Sequence, residues 1–221
     1  MTLLDGFDYY KTYSKSDWSR TLKVEGSAVN VVKLIREWGD VPTAASLREA
    51  YTLLLDVEEW KAMCLHDRMG NAGQNSQRAV WDAFRGALNA QTDRDCLLSI
   101  MRLKGFGASR DEETGQRRAK VATAALRFLK PDEWGVVDWR TAAILGFLEK
   151  SKGDVDQALV LARRWNADDL RKNVYEMIDE KAACEYNQMY RNMRTSSSLP
   201  RTVDVEMALF GLSMKAWPFP C

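Results

Sequence analysis

The sequence predicts an all-α protein, and three observations carry that prediction. Apolar residues recur at helical spacing along nearly the whole chain. Capping residues precede these runs, and glycine or proline follows them. No stretch alternates apolar and polar residues for long enough to found a sheet; Val136-Val137 is the one β-branched candidate and is too brief.

About nine or ten helices are expected in order along the chain. Residues 27–38 place Val29, Val32, Leu34 and Ile35 near one face and stop at Gly39. Pro42 opens the next segment, where Ser46 and Glu49 have capping-box spacing ahead of AYTLLL. Residues 58–69 make a third helix ended by Gly70, and GNAGQNS (70–76) is a loop. Residues 77–90 and 94–103 follow, the second stopped at Lys104-Gly105. Residues 117–129 are rich in alanine and end before Pro131. Asp138 precedes the strongly helical WRTAAILGFLEK, which ends near Gly153. Residues 154–165 and 168–194 are two more helices, and a serine-rich break with Pro200 leads into the last, 203–215. No internal repeat is visible, and residues 1–221 read as one domain.

Composition excludes several chemistries. Of 221 residues one is histidine, His66, so a multi-histidine zinc site is impossible and a histidine base has one source. Cys64, Cys96, Cys184 and Cys221 show no short C-x-x-C spacing, which argues against structural zinc or an iron–sulfur cluster. Chemistry is then expected from carboxylates, lysines or tyrosines. No apolar stretch approaches a membrane span, and MTLLDGFDYYKTYSK lacks the order of a secretory signal, so a cytoplasmic place is expected.

The net charge of +1 hides an uneven distribution. Between residues 101 and 130, eight basic side chains (Arg102, Lys104, Arg110, Arg117, Arg118, Lys120, Arg127, Lys130) face only Asp111, Glu112 and Glu113. Gly105 and Gly107 in LKGFG, and Gly115 further on, let backbone amides approach an anion, and a following helix start adds its dipole. That suits a phosphate backbone, although a solvated helix face has the same composition. Asp138 sits where an N-cap belongs; hydrogen bonds and the dipole there favour its anion. Lys120 lies eighteen residues earlier, in KVATAAL, where Ala119, Ala122 and Ala125 allow close packing.

LKGFG (103–107), AKVATAALRFL (119–129) and VVDWRTAAIL (136–145) stand in the order of a glycine hairpin, a lysine-bearing helix, a short loop and an aspartate opening the next helix. Over about 45 residues this resembles the helix-hairpin-helix superfamily of DNA glycosylases, including endonuclease III and the 8-oxoguanine glycosylases. Lys120 matches the lysine of the bifunctional members, and MALFGL near Met207 looks like the closing helix of proteins related to the superfamily. ASRDEETGQRR intervenes between Gly107 and Ala119, so either the hairpin is expanded or its turn is Thr114-Gly115-Gln116. The cluster cysteines of endonuclease III are absent, and LNAQTD (88–93) lies too close to the hairpin to be that family's strand-invading loop.

The resemblance implies a compact two-lobed helical bundle with a helix-hairpin-helix motif, its catalytic segment at about 101–150. It further implies a cofactor-free enzyme that flips and excises a damaged or modified base. Asp138 would stabilise the oxocarbenium-like sugar or activate the nucleophile, and Lys120 would attack C1′ and open an AP-lyase route. Gly105, Gly107, Gly115, Arg117, Arg118 and Arg140 would meet DNA, and Trp139 would stack on the base; Tyr9, Tyr10 and Trp81 are further aromatic candidates. The expected partner is double-stranded DNA with a modified or damaged base, met by a monomer at the nucleoid without a membrane. A non-catalytic helix-hairpin-helix DNA-binding protein and a helical protein-interaction module fit the same composition. Which base leaves, and whether in repair or in defence against phage, is open at this level.

Overall fold

The computed structural model describes residues 1–13, 15–62, 70–107, 119–173 and 178–218. The class is all-α: among the described residues there are eleven α-helices, one 3-10 turn (Ala72–Gln74) and no strand. The helices are α1 (Leu3–Tyr13), α2 (Lys15–Trp38), α3 (Ala44–Ala62), α4 (Gln77–Asn89), α5 (Asp93–Met101), α6 (Lys120–Leu129), α7 (Trp139–Lys150), α8 (Val155–Ala162), α9 (Ala167–Asn173), α10 (Glu180–Ser196) and α11 (Thr202–Ala216).

Three expected elements differ from those observed, each for a tertiary reason, and a further helix, α1, occupies a stretch where none was expected. α2 starts twelve residues earlier than expected, at Lys15 rather than residue 27, and buries Val24, Ala28, Val31 and Ile35 while Val29 stands 72% exposed. The stripe at three- and four-residue spacing therefore begins inside a polar-looking stretch. The two helices expected over 42–69 are one through Ala62, because Leu53, Leu54, Val57 and Glu58 are all buried on the same packed side. Its first turn is capped by Thr43, whose Oγ1 accepts the Ser46 amide at 3.1 Å, and not by Ser46, which is buried. Glu58 turns back on the loop and accepts the amides of Gly70 and Ala72 at 3.1 and 2.9 Å. Residues 168–194 divide into α9 and α10: the Ile178 carbonyl accepts the Ala119 amide at 2.9 Å, and Asp179, in extended conformation, caps α10.

The N-terminal segment forms α1 and lies along α11. Their backbones touch at Gly6 and Gly211. A Cβ on Gly211 would overlap the Gly6 carbonyl, and one on Gly6 would meet the Ala208 carbonyl at 2.5 Å, so neither position admits a side chain. This is the physical reason for the glycine in MALFGL. A main apolar core joins residues from α2 to α11, and a smaller cluster of Tyr10, Val203, Met207 and Met214 sits between α1 and α11. Trp81 is completely buried with its Nε1 donating to the Gly39 carbonyl at 2.9 Å, and Tyr10 belongs to the smaller cluster, so packing rather than base stacking explains both. Among the described residues no helix is long and apolar enough to cross a membrane.

Candidate active site

Residues 134–138 pass between α6 and α10 without regular secondary structure, and side chains satisfy their buried backbone groups. The Gly135 amide donates to Asn187 Oδ1 at 3.2 Å, and the Val137 amide donates to Thr123 Oγ1 at 3.1 Å. The Tyr190 hydroxyl lies 3.1 Å from the Val136 carbonyl and 2.8 Å from Thr141 Oγ1. These contacts deliver Asp138 to the start of α7 in one orientation. Sequence reasoning did not single out Thr123, Asn187 or Tyr190, because only the fold brings them to this segment.

Asp138 is the N-cap of α7. Its Oδ1 accepts the Arg140 and Thr141 amides at 3.0 and 3.2 Å, and its own amide donates to Thr141 Oγ1 at 3.2 Å. The other oxygen, Oδ2, accepts from Lys61 Nζ at 3.2 Å, with the two side chains 15% and 21% exposed. Burial pushes the Asp138 carboxyl up, but the Lys61 charge, the Thr141 amide, the Lys61 hydrogen bond and the Arg140 charge outweigh it, so the acid is held below its ordinary value. The expectation of an ionised capping acid agrees with this environment. Lys61, in the last turn of α3, carries no motif signal and lies 77 residues away in sequence.

A second buried charge cluster stands behind this pair. Arg127 is completely buried, its Nε donating to Glu206 Oε2 at 3.1 Å and its Nη2 3.9 Å from Glu25 Oε1. Its guanidinium lies 4.7 and 4.8 Å from the Trp60 and Phe128 rings, and Trp60 Nε1 donates to Thr21 Oγ1 at 2.9 Å. Burial pushes Glu206 up to about 7, against the charges of Arg127 and Lys61 and helped by that of Asp138. Tyr190 is pushed well above its ordinary value, chiefly by burial.

The other expected site residues divide. Lys120 opens α6, half-buried, and its carbonyl accepts from Thr123 Oγ1 at 2.8 Å. Thr123 is one turn on along the same side of the helix, so the lysine's turn is tied through Thr123 to Val137, beside Asp138. Trp139 is half-buried, its ring 5.7 Å from that of Trp217. Arg140, expected to meet DNA, is 7% exposed and its Nη1 donates to the Trp217 carbonyl at 2.8 Å, which ties α7 to the C-terminal segment. Arg127 and Lys130, counted in the basic stretch, are likewise turned inward or paired, Lys130 with Glu133 at 2.7 Å. Arg102 and Lys104 are exposed.

LKGFG is a turn, with Gly105 and Gly107 at φ of +85° and +107°, a region that favours glycine. Asn75 closes it, accepting the Lys104 amide at 2.9 Å and donating to the Lys104 carbonyl at 3.0 Å. The close approach at Gly105 is to the chain itself: a Cβ there would come within 3.0 Å of Asn71 and 3.3 Å of Glu58 Oε1. Gly115, Arg117 and Arg118, with His66 and Cys64, lie outside the described residues. Among the described residues no cluster of three or more side chains is placed to hold a metal ion. Cys96 is buried, which pushes its thiol up to about 12 and makes it a poor nucleophile.

The chain was compared with family models, curated proteins and solved structures, and nothing matches.

Proposed function

We propose that this protein is a DNA glycosylase that flips and excises a damaged or modified base from duplex DNA, with Asp138 as its catalytic acid group and Lys120 as the amine of an AP-lyase step. The single observation that carries the reading is the division of the Asp138 carboxylate. One oxygen is spent on the α7 cap, while the other is held as an anion by a lysine in a largely buried place. Such a preorganised anion stabilises positive charge developing on a sugar as its base departs, because little reorganisation is needed during the step. The first turn of α6, which bears Lys120, is bound through Thr123 to the segment that leads into Asp138. In the lyase branch the neutral amine attacks C1′ and the base leaves with the bonding electrons. The C1′–O4′ bond then opens, O4′ takes a proton from the new ammonium, and an iminium remains.

The test is incubation with duplexes carrying a panel of damaged and naturally modified bases, followed by alkali to reveal abasic sites and by borohydride to trap the iminium. Abasic sites with a trapped complex, the latter lost in Lys120→Gln, support both roles. Salt-sensitive duplex binding without any abasic site makes the protein a non-catalytic DNA binder. Absence of duplex binding leaves the interaction-module alternative.

A further inference from the structure

We infer that Lys61 is a positioning residue of this site: reaching from the last turn of α3, its ammonium fixes Oδ2 of Asp138 and keeps the capping acid available as an anion. What that anion does rests on the glycosylase reading; the pairing itself rests on geometry. With Oδ1 accepting from two amides and Oδ2 from Lys61 Nζ at 3.2 Å, the carboxylate is held at both oxygens. A cap alone needs only Oδ1 and would tolerate a neutral acid more readily, so the second oxygen is where a charge matters.

The surrounding groups show why a cation is required there. From α7 itself Arg140 contributes positive charge, but its guanidinium is directed to the Trp217 carbonyl. From α11 Glu206 contributes a carboxyl that repels the Asp138 anion whenever it is ionised. From α10 Tyr190 offers a phenol that stays neutral through the ordinary pH range, and α6 begins with Lys120. Burial also disfavours the Asp138 anion. Lys61 is the cation in hydrogen-bond contact with the carboxylate, and its charge is the largest of the influences that oppose burial. The role is electrostatic and does not require a bond to substrate, so it belongs to charge rather than to an amine: arginine should serve and methionine should not.

The experiment compares wild type, Lys61→Met, Lys61→Arg and Lys120→Gln, each checked for folding by circular dichroism. The Asp138 carboxyl is titrated by carbon NMR, assigned through Asp138→Asn, and abasic-site formation is followed against pH in single turnover. Lys61→Met should raise the Asp138 titration and the acid limb of the activity together by roughly one to three pH units, and Lys61→Arg should restore most of the shift. Lys120→Gln should abolish trapping and leave the carbon titration of Asp138 where it is in wild type. Should Lys61→Met fail to fold, Lys61→Gln carries the same comparison. An unchanged Asp138 titration in a folded Lys61→Met protein overturns the inference, as does a shift that arginine does not rescue. Loss of trapping in Lys61→Arg with trapping retained in Lys120→Gln also overturns it, by making Lys61 the attacking amine. A wild-type protein that produces no abasic sites sinks the glycosylase reading, and the NMR titration still decides the role of Lys61.

Discussion

The starts of α7 and α8 are written in the same local grammar, yet they differ in nearly every physical respect. Each opens on an aspartate in extended conformation whose carboxylate accepts first-turn amides: Asp154 from Gln157 at 3.0 Å, Asp138 from Arg140 and Thr141. Asp154 is exposed, and water solvates what the cap leaves over. Asp138 is largely buried, and its second oxygen meets a lysine from another helix. A cap is a local matter of three residues; a poised anion needs burial, a distant cation and a rigid approach, and none of these is written near the aspartate.

The largest expected effect separates the two helix starts by activity. Asp138→Asn should lower base excision by about 10²-fold or more with duplex binding intact, while Asp154→Asn leaves it unchanged, as read by single-turnover release of the base. A fully active Asp138→Asn protein would erase the functional difference. In stability, Asp138→Ala should cost about 3 kcal/mol, because two amides and a partly buried lysine lose their partner together. Urea denaturation monitored by circular dichroism gives this value.

The pH dependence sharpens the contrast, because Glu206 lies near Asp138. Folded Glu206 holds its proton until about 7 from an ordinary 4.5, so between these values the native state binds more protons than the unfolded chain. Stability should therefore fall as pH rises through that window, by about 3 kcal/mol. Glu206→Gln should flatten the slope in denaturation midpoints measured across it. Asp138 acts in the opposite sense: its contribution is present above its ordinary value of 3.8 and is lost as pH falls through its lower folded value. The smallest effect belongs to α8, where Asp154→Ala should cost about 1 kcal/mol by the same urea measurement, as an exposed cap does. Equal losses for Asp138→Ala and Asp154→Ala would break the comparison.

Much of the fold was legible because helices are local. Asp138 at a helix start, and Gly105 or Pro131 near a helix end, act within a few residues of their own position. The errors fall where a remote contact outweighs local preference. α1 depends on the close backbone approach of Gly6 to Gly211, and the fused α3 depends on the buried side of Leu54, Val57 and Glu58. The break before α10 depends on the Ile178 carbonyl pairing with Ala119. In the site, Asp138 was legible as a capping acid and Lys61 was not. Arg127 and Arg140 looked like surface cations, because a sequence counts charges without saying which are turned inward.

By itself the sequence determined the all-α class, the positions of most helix starts, and an aspartate that local hydrogen bonds keep anionic. These follow from backbone geometry and capping, whose range is one helical turn. Only the tertiary structure decided that Asp138 is paired with Lys61, braced by Thr123, Asn187 and Tyr190, and neighbour to a carboxyl held near neutrality. Desolvation and charge pairing act through space, so they are settled by which helices meet and not by which residues are adjacent.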